Sequence, residues 1–190
     1  GLTRSGPNEW APVGRPEYLQ QCVELSLRRL KIDCIDLYQL HRLDPQVPMA
    51  DTLGCLKKLR RQGKIRHIGL SEVSVKEIKK ARKIVPIVSV QNLYNFGNRQ
   101  SEDVLDYCTK HKLGFIPWFP LAAGKMGGPR SPLAKAAKRH GATVSQLAWL
   151  LHRSPVVLPI PGTSSLAHLK ENVGAADIKL SSSEWARIEG

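Results

Sequence analysis

Ile35-Asp-Leu-Tyr-Gln-Leu-His41 decides the fold: a short strand-like run of largely apolar residues, stopped by an imidazole. Further runs of the same kind follow at 65–70 ending at Ser71, 87–90 ending at Gln91, 114–117 ending at Trp118 and 156–160 ending at Pro161-Gly162. A stretch with helix-like spacing separates each from the next. That rhythm is the mark of βα units in a parallel sheet, whose chemistry sits at the carboxyl ends of the strands. The row of end residues therefore reads as a ligand site. A closed barrel needs eight such strands and this chain supplies five, so the expected fold is α/β, a partial (β/α)8 barrel.

With 190 residues, 42% hydrophobic and 24% charged, the chain fits one globular domain spanning 1–190, below the roughly 250 residues of an ordinary complete barrel. No segment approaches the roughly 18 uninterrupted apolar residues of a membrane span, and no signal pattern opens the chain, so a cytoplasmic protein is expected. Gly1 stands where a Met is usual, which reads as a start inside a longer protein and not as a myristoylation site. Cys22, Cys34, Cys55 and Cys108 form no CxxC pair and have no histidine at metal-ligand spacing, so they read as small buried hydrophobes with no metal site. The net charge of +13 invites a nucleic-acid reading. Its clusters, Lys57-Lys58 with Arg60-Arg61, Lys76 with Lys79-Lys80 and Arg82-Lys83, and Lys135 with Lys138-Arg139, fall on the polar sides of amphipathic repeats without interleaved aromatic platforms. Solvated helix faces are expected, with no nucleic acid and no membrane as partner.

Residues 1–14 hold three glycines and two prolines and read as a loop. Pro16 suits the first position of a helix carrying Leu19, Val23, Leu27 and Leu30. Leu53, Leu56 and Leu59 mark a helix stopped by Gly63, and Ser74 with Glu77 forms a capping box. Val104, Leu105 and Cys108 line a helix expected to end at Gly114. Residues 121–130, with three glycines and one proline, form a loop long enough to close over a ligand. Ser131-Pro132 opens a short helix ended by Gly141. Thr143 with Gln146 caps the next, which carries Leu147, Leu150 and Leu151 and which Pro155 stops. Ser165 caps the helix bearing His168, Glu171 and Asn172, and Ser181 with Glu184 opens the last.

Three segments together resemble the aldo-keto reductases: Ile35 to His41, Gly69-Leu-Ser71 followed by Val90-Gln-Asn92, and Pro159-Ile-Pro-Gly-Thr-Ser164 with Glu171-Asn172. Phe115 to Gly124 is similar to that family's seventh strand and the loop after it. The resemblance runs from about Gly1 to Ser183 and implies that the five strands correspond to strands four to eight of the barrel. It implies an oxidoreductase that passes a hydride from NADPH to an aldehyde or ketone, with His41 as the catalytic histidine. An imidazole at a strand end can indeed donate to negative charge developing on oxygen. A strand-capping histidine is the structural alternative. Ser71 and Gln91 match the residues that hold the nicotinamide carboxamide, a group needing both donors and acceptors. Relatives often carry Asn after that serine, where this chain has Glu72. Trp118 matches the residue stacked on the nicotinamide ring, with a core tryptophan as the alternative. Phe119, Pro120, Leu121, Ala123 and Gly124 match the loop that wraps the pyrophosphate. Gly162, Thr163, Ser164 and His168 match the grip on the adenosine 2′-phosphate, although relatives often have Lys or Arg where Gly162 and His168 stand. Glu171 and Asn172 match the contacts to adenine. NADP(H) is the implied cofactor.

Hydride transfer to a carbonyl leaves an alkoxide that an acid must protonate. In the family a tyrosine assisted by lysine and aspartate does this, all three on strands one to three, which this chain lacks. Strand alternation turns Tyr38 away from the face shared by Leu37, Gln39 and His41, and Tyr94 and Tyr107 make no better substitute. The chain alone is therefore expected to be inactive. Its open sheet edges invite self-association. The alternative class is a relative that binds a nicotinamide cofactor or another protein without catalysis.

Overall fold

The first fourteen residues are not the irregular loop their glycines and prolines suggest. β1 (Leu2–Thr3) pairs antiparallel with β2 (Ala11–Pro12), Leu2 opposite Pro12 and Thr3 opposite Ala11. Side chains hold this ladder. Tyr18 donates to the Leu2 carbonyl at 2.9 Å, and the Arg4 guanidinium lies 4.3 Å over the Trp10 ring. The structure, a computed structural model, describes residues 1–121, 130–140 and 145–189, with 145–148 through their backbone alone. It divides into two units, Gly1–Gln91 and Asn92–Gly190.

In the first unit α1 (Pro16–Leu30) begins at its proline, whose missing N–H would have had no helical partner, and buries Leu19, Val23 and Leu27. There follow β3 (Ile35–Leu40), α2 (Met49–Arg61), β4 (Ile65–Ser71), α3 (Val75–Arg82) and β5 (Ser89–Leu93). β3 and β4 run parallel from Ile35 opposite Ile65 to Leu40 opposite Leu70, and β4 and β5 from Gly69 opposite Ser89 to Ser71 opposite Gln91. Parallel neighbours need a crossover, which α2 and α3 provide. Leu53, Leu56 and Leu59 of α2, with Ile78 and Ala81 of α3, are buried alongside Ile68, Leu70 and Val90 of the strands. Gly63 takes φ +75 after α2, and Ser74 with Glu77 forms both bonds of its capping box. β5 starts two residues later than its apolar run. Pro86 has no N–H to donate, and the first contact toward β4 is Val88 N–H to the Ile68 carbonyl at 3.0 Å.

The second unit holds α4 (Glu102–His111), β6 (Gly114–Trp118), α5 (Pro132–Arg139), α6 (Ser145–Arg153), α7 (Leu166–Gly174), a 3₁₀ turn (Ala175–Asp177) and α8 (Ser182–Glu189). α4 ends at His111, not at Gly114: Lys112 takes the left-handed cap at φ 54, and Gly114 already belongs to β6. The fifth expected strand, 156–160, is reduced to a single parallel bridge between Phe115 and Val157. Phe115 N–H reaches the Val156 carbonyl at 2.8 Å and Leu158 N–H the Phe115 carbonyl at 2.9 Å. The next bond of this ladder would run from the residue 117 N–H to the Leu158 carbonyl, and Pro117 of β6 has no N–H, so the ladder stops there. Ser131 and Ser165 cap α5 and α7 as expected. Gly141 and the Thr143 with Gln146 cap lie outside the described residues and side chains.

An aromatic cluster forms the core of this unit. Tyr94 stacks on Trp149 at 5.8 Å and meets Phe115 edge-on at 5.7 Å, while Arg99 lies 4.7 Å over Trp149. Arg99 also binds Glu189 through two bonds of 2.9 and 3.2 Å, and the Trp149 indole donates to the same carboxylate. The basic clusters read from the sequence are exposed apart from half-buried Lys57. Of the cysteines only Cys108 is buried. Cys22, Cys34 and Cys55 are half-buried, not the buried hydrophobes expected. Among the described residues no helix is long and apolar enough to cross a membrane.

Glu184 is 8% exposed and accepts from Ser181 N–H at 2.9 Å and the Ser181 hydroxyl at 2.8 Å, with Arg139 and His140 beside it. The Ser181 bonds, backbone first, hold its pKa down to about 2. A depressed carboxylate stabilises the fold above its unfolded pKa of about 4.3 and loses that contribution as pH falls toward the folded value. We expect the melting temperature to drop between pH about 4.5 and about 2, and Glu184→Gln to lower it at neutral pH while flattening that acid limb in thermal scans.

Candidate active site

Parallel register sets the first unit's site. Leu40, Leu70 and Val90 lie abreast, so His41 and Arg42, Ser71 and Gln91 follow at the same end of three neighbouring strands. Ser71 is buried and stands directly opposite Gln91. Arg42 donates to the His41 carbonyl at 2.7 Å and to the Ser71 hydroxyl at 3.3 Å. The Ser71 proton is thereby free to be donated elsewhere.

His41 leaves the strand exposed, its ring meeting Trp10 edge-on at 6.1 Å. Partial desolvation, and then the neighbouring Arg42 charge, push its pKa below that of a free imidazole. Both effects favour the neutral ring at physiological pH, which can donate one hydrogen bond without carrying charge. Tyr38 faces the other way, where Cys22, Tyr18 and Cys55 are the groups acting on it. Burial is the main cause that pushes its phenol up to about 12. It cannot serve the same end of the sheet. Tyr94 is likewise committed, donating to Glu102 at 2.6 Å within the aromatic core.

Gln39 was not among the residues singled out for chemistry, yet it joins the site. Its amide nitrogen donates to Gln91 Oε1 at 3.1 Å, and its Oε1 accepts from the buried Ser89 hydroxyl at 3.3 Å. A polar residue two positions before His41, on the face that His41 shares, is the signal that could have found it. Gly69 stands between them, opposite Gln39 on one side and Ser89 on the other. A Cβ there would lie 2.3 Å from Ser89 Oγ and 3.0 Å from Gln39 Cγ. Glu72, next after Ser71, has φ 52 and gives its N–H to the Gln91 carbonyl at 3.0 Å. Asn enters this left-handed region more readily than Glu.

In the second unit Trp118 is half-buried at the end of β6, its ring 6.3 Å from that of Phe119. Phe119 is exposed at φ 58, and Asn95 donates to its carbonyl at 3.1 Å. Pro120 is buried and Leu121 half-buried, while Ala123 and Gly124 lie outside the described residues. Gly162, Thr163, Ser164 and His168 are all exposed around the start of α7. Thr163 Oγ1 accepts from Ser165 N–H at 3.1 Å, and Ser165 Oγ from His168 N–H at 3.4 Å. Glu171 is exposed and Asn172 half-buried one turn further on. A side chain at Gly162 would meet nothing within 4 Å.

The family model of the aldo/keto reductases matches residues 2–190. The chain belongs to the aldo/keto reductase family. An uncharacterised oxidoreductase of Schizosaccharomyces pombe is 51% identical over 191 residues, covering 100% of this chain and 62% of the relative. The aldo/keto reductase chain thus spans less than two thirds of that relative's length. A thermostable aldo-keto reductase solved with the inhibitor epalrestat superposes with a TM-score of 0.86 at 34% identity, over 92% of this chain and 66% of that one. The aldo-keto reductase of Klebsiella pneumoniae solved with NADPH gives 0.79 at 34% identity, over 90% and 63%. These neighbours share the parallel α/β fold of the family.

Gly69→Ala should destabilise the chain by about 1–3 kcal/mol, the usual range for overpacking. Adding Ser89→Ala, which removes the atom 2.3 Å from the new Cβ, should restore most of the loss in urea unfolding. Equal stability of Gly69→Ala and wild type would show that the three side chains are not packed as described.

Proposed function

We propose that this aldo/keto reductase chain carries the cofactor-binding part of an enzyme that reduces an aldehyde or ketone with NADPH, and corresponds to strands four to eight of the family's barrel. The observation that carries the reading is the Ser71 and Gln91 pair, abreast on neighbouring strands, with Arg42 on one partner and Gln39 on the other. A carboxamide presents a carbonyl and an amino group in one plane, and a hydroxyl beside a primary amide supplies matched partners for both. The residues present therefore fit nicotinamide. Trp118 would stack on its ring, Phe119, Pro120, Leu121, Ala123 and Gly124 would wrap the pyrophosphate, Gly162, Thr163, Ser164 and His168 would hold the 2′-phosphate, and Glu171 and Asn172 the adenine. The solved relative that holds NADPH supports the choice of cofactor.

When bound, the dihydronicotinamide supplies the hydride that reaches the carbonyl carbon. His41 would orient and polarise the carbonyl oxygen from its neutral form. The oxygen then needs a proton, and neither Tyr38 nor Tyr94 supplies it, since one faces the helix side of β3 and the other is committed to Glu102. We accordingly propose that the chain binds cofactor but does not turn over by itself. Titration of NADPH should quench tryptophan fluorescence saturably, more tightly than NADH, and Trp118→Leu should weaken it about tenfold, in the range for a lost aromatic stack. With a panel of aldehydes, purified chain should show no steady NADPH oxidation. Turnover that disappears in His41→Ala would overturn the inactive reading.

A second reading, a protein-interaction role, is favoured by α7. Its nine residues include none that are buried, and Leu166, Leu169 and Val173, spaced along one face, are 78%, 49% and 68% exposed. An apolar stripe of that kind marks a contact surface. We expect concentration-dependent self-association in sedimentation, reduced by replacing Leu166 and Val173 with Glu. A monomer at all concentrations would count against it.

A further inference from the structure

We propose that Gln39 is a positioning residue that fixes which end of the Gln91 amide faces the nicotinamide. The inference rests on the reading of Gln91 given above and adds the device that makes Gln91 selective. A primary amide is pseudo-symmetric: a half-turn about its last bond exchanges a two-proton donor for an acceptor at almost no steric cost. Gln91 alone would present either end to a ligand.

The neighbouring side chains remove that freedom in sequence. The Ser89 hydroxyl is buried and has one proton, which it gives to Gln39 Oε1 at 3.3 Å. In this arrangement the Gln39 amide has its nitrogen toward Gln91, whose Oε1 accepts at 3.1 Å. The Gln91 nitrogen is then the end left for a ligand, and it offers donors. Its complement is a carbonyl oxygen, which leaves the carboxamide amino group for an acceptor. Such a chain of aligned bonds strengthens each member and is costly to reverse in part.

The relay crosses a whole strand. Gln39 lies on β3 and both its partners on β5, about 4.8 Å per strand step away across β4. Only a side chain as long as glutamine spans that gap, and only because Gly69 leaves the space above β4 empty. Glutamine, glycine and serine at these positions thus form one packed unit.

A purely structural role predicts equal effects on all ligands, whereas positioning predicts an effect confined to the nicotinamide end. Calorimetric titrations with NADPH and with 2′-phospho-ADP-ribose, which lacks nicotinamide, separate the two. Gln39→Leu should weaken NADPH about three- to tenfold, the worth of roughly one hydrogen bond, and leave 2′-phospho-ADP-ribose unchanged. Gln39→Glu keeps the shape but cannot donate to Gln91, so it should show the same selective loss. Ser89→Ala should show a smaller one. Gln91→Leu is the control. If it does not alter NADPH relative to 2′-phospho-ADP-ribose, or if folded wild type does not bind NADPH, the reading of Gln91 fails and the proposal with it. If Gln91→Leu is selective while Gln39→Leu and Gln39→Glu are silent or weaken both ligands equally, the assignment of Gln39 alone is overturned.

Discussion

Parallel pairing of β3, β4 and β5 is the constraint from which the rest follows. Parallel strands cannot be joined by a tight turn, so each must be followed by a crossover long enough to return the chain to the starting end. The crossovers bury their apolar stripes on one face of the sheet, and every strand then finishes at the same end. Leu40, Leu70 and Val90 come abreast for that reason, and the polar residues that follow them become neighbours although they are twenty or thirty positions apart in sequence. Nothing in the local chemistry of His41, Ser71 or Gln91 draws them together.

The same pleat that gathers these groups also sorts them. Successive side chains alternate between the helix-covered face and the other face, so Tyr38 and Gln39 meet opposite environments. Tyr38 enters the helix side, among cysteines, and its phenol is driven far from physiological pH. Gln39, one residue on, finds an amide and a hydroxyl. One position of register decides between a half-buried phenol on the helix side and a member of the polar relay. A titratable group near a site in sequence is therefore no guide to whether it can reach the reacting atoms.

What was legible in the sequence was what periodicity and capping chemistry carry. Four of the five apolar runs are strands, and the helices begin where Pro16, Ser74, Ser131, Ser165 and Ser181 offer a start. The run at 156–160 has the right residues and lacks a partner donor, because Pro117 on the facing strand allows one bridge and no ladder. The ladder of β1 and β2 was hidden because its hold is non-local: Tyr18 and the Arg4 and Trp10 pair do what no turn motif announces. Gln39 was visible as a polar residue on the right face, but its partners lie two strands away, and a single sequence does not say which side chains meet across a glycine.

The backbone shows where the fold accepts strain. Lys31 and Lys112 take positive φ just after helices, where a left-handed residue closes the final turn. Glu72 and Phe119 do so just after strands β4 and β6. A left-handed residue with a side chain costs about 1–2 kcal/mol, and glycine would avoid it at any of these positions. At the helix ends the conformation is part of the cap and the side chain merely tolerates it. After the strands no cap requires it. There the reversal turns the chain sharply off the sheet, leaving Ser71 and Trp118 as the last residues in extended geometry. At Glu72 it also brings the N–H onto the Gln91 carbonyl, tying the main chain of Ser71's strand to that of its proposed partner. Strain held at the exits of two strands, each immediately after a residue assigned to nicotinamide, is what a structure would keep if those residues had to be the final, fixed points of the sheet.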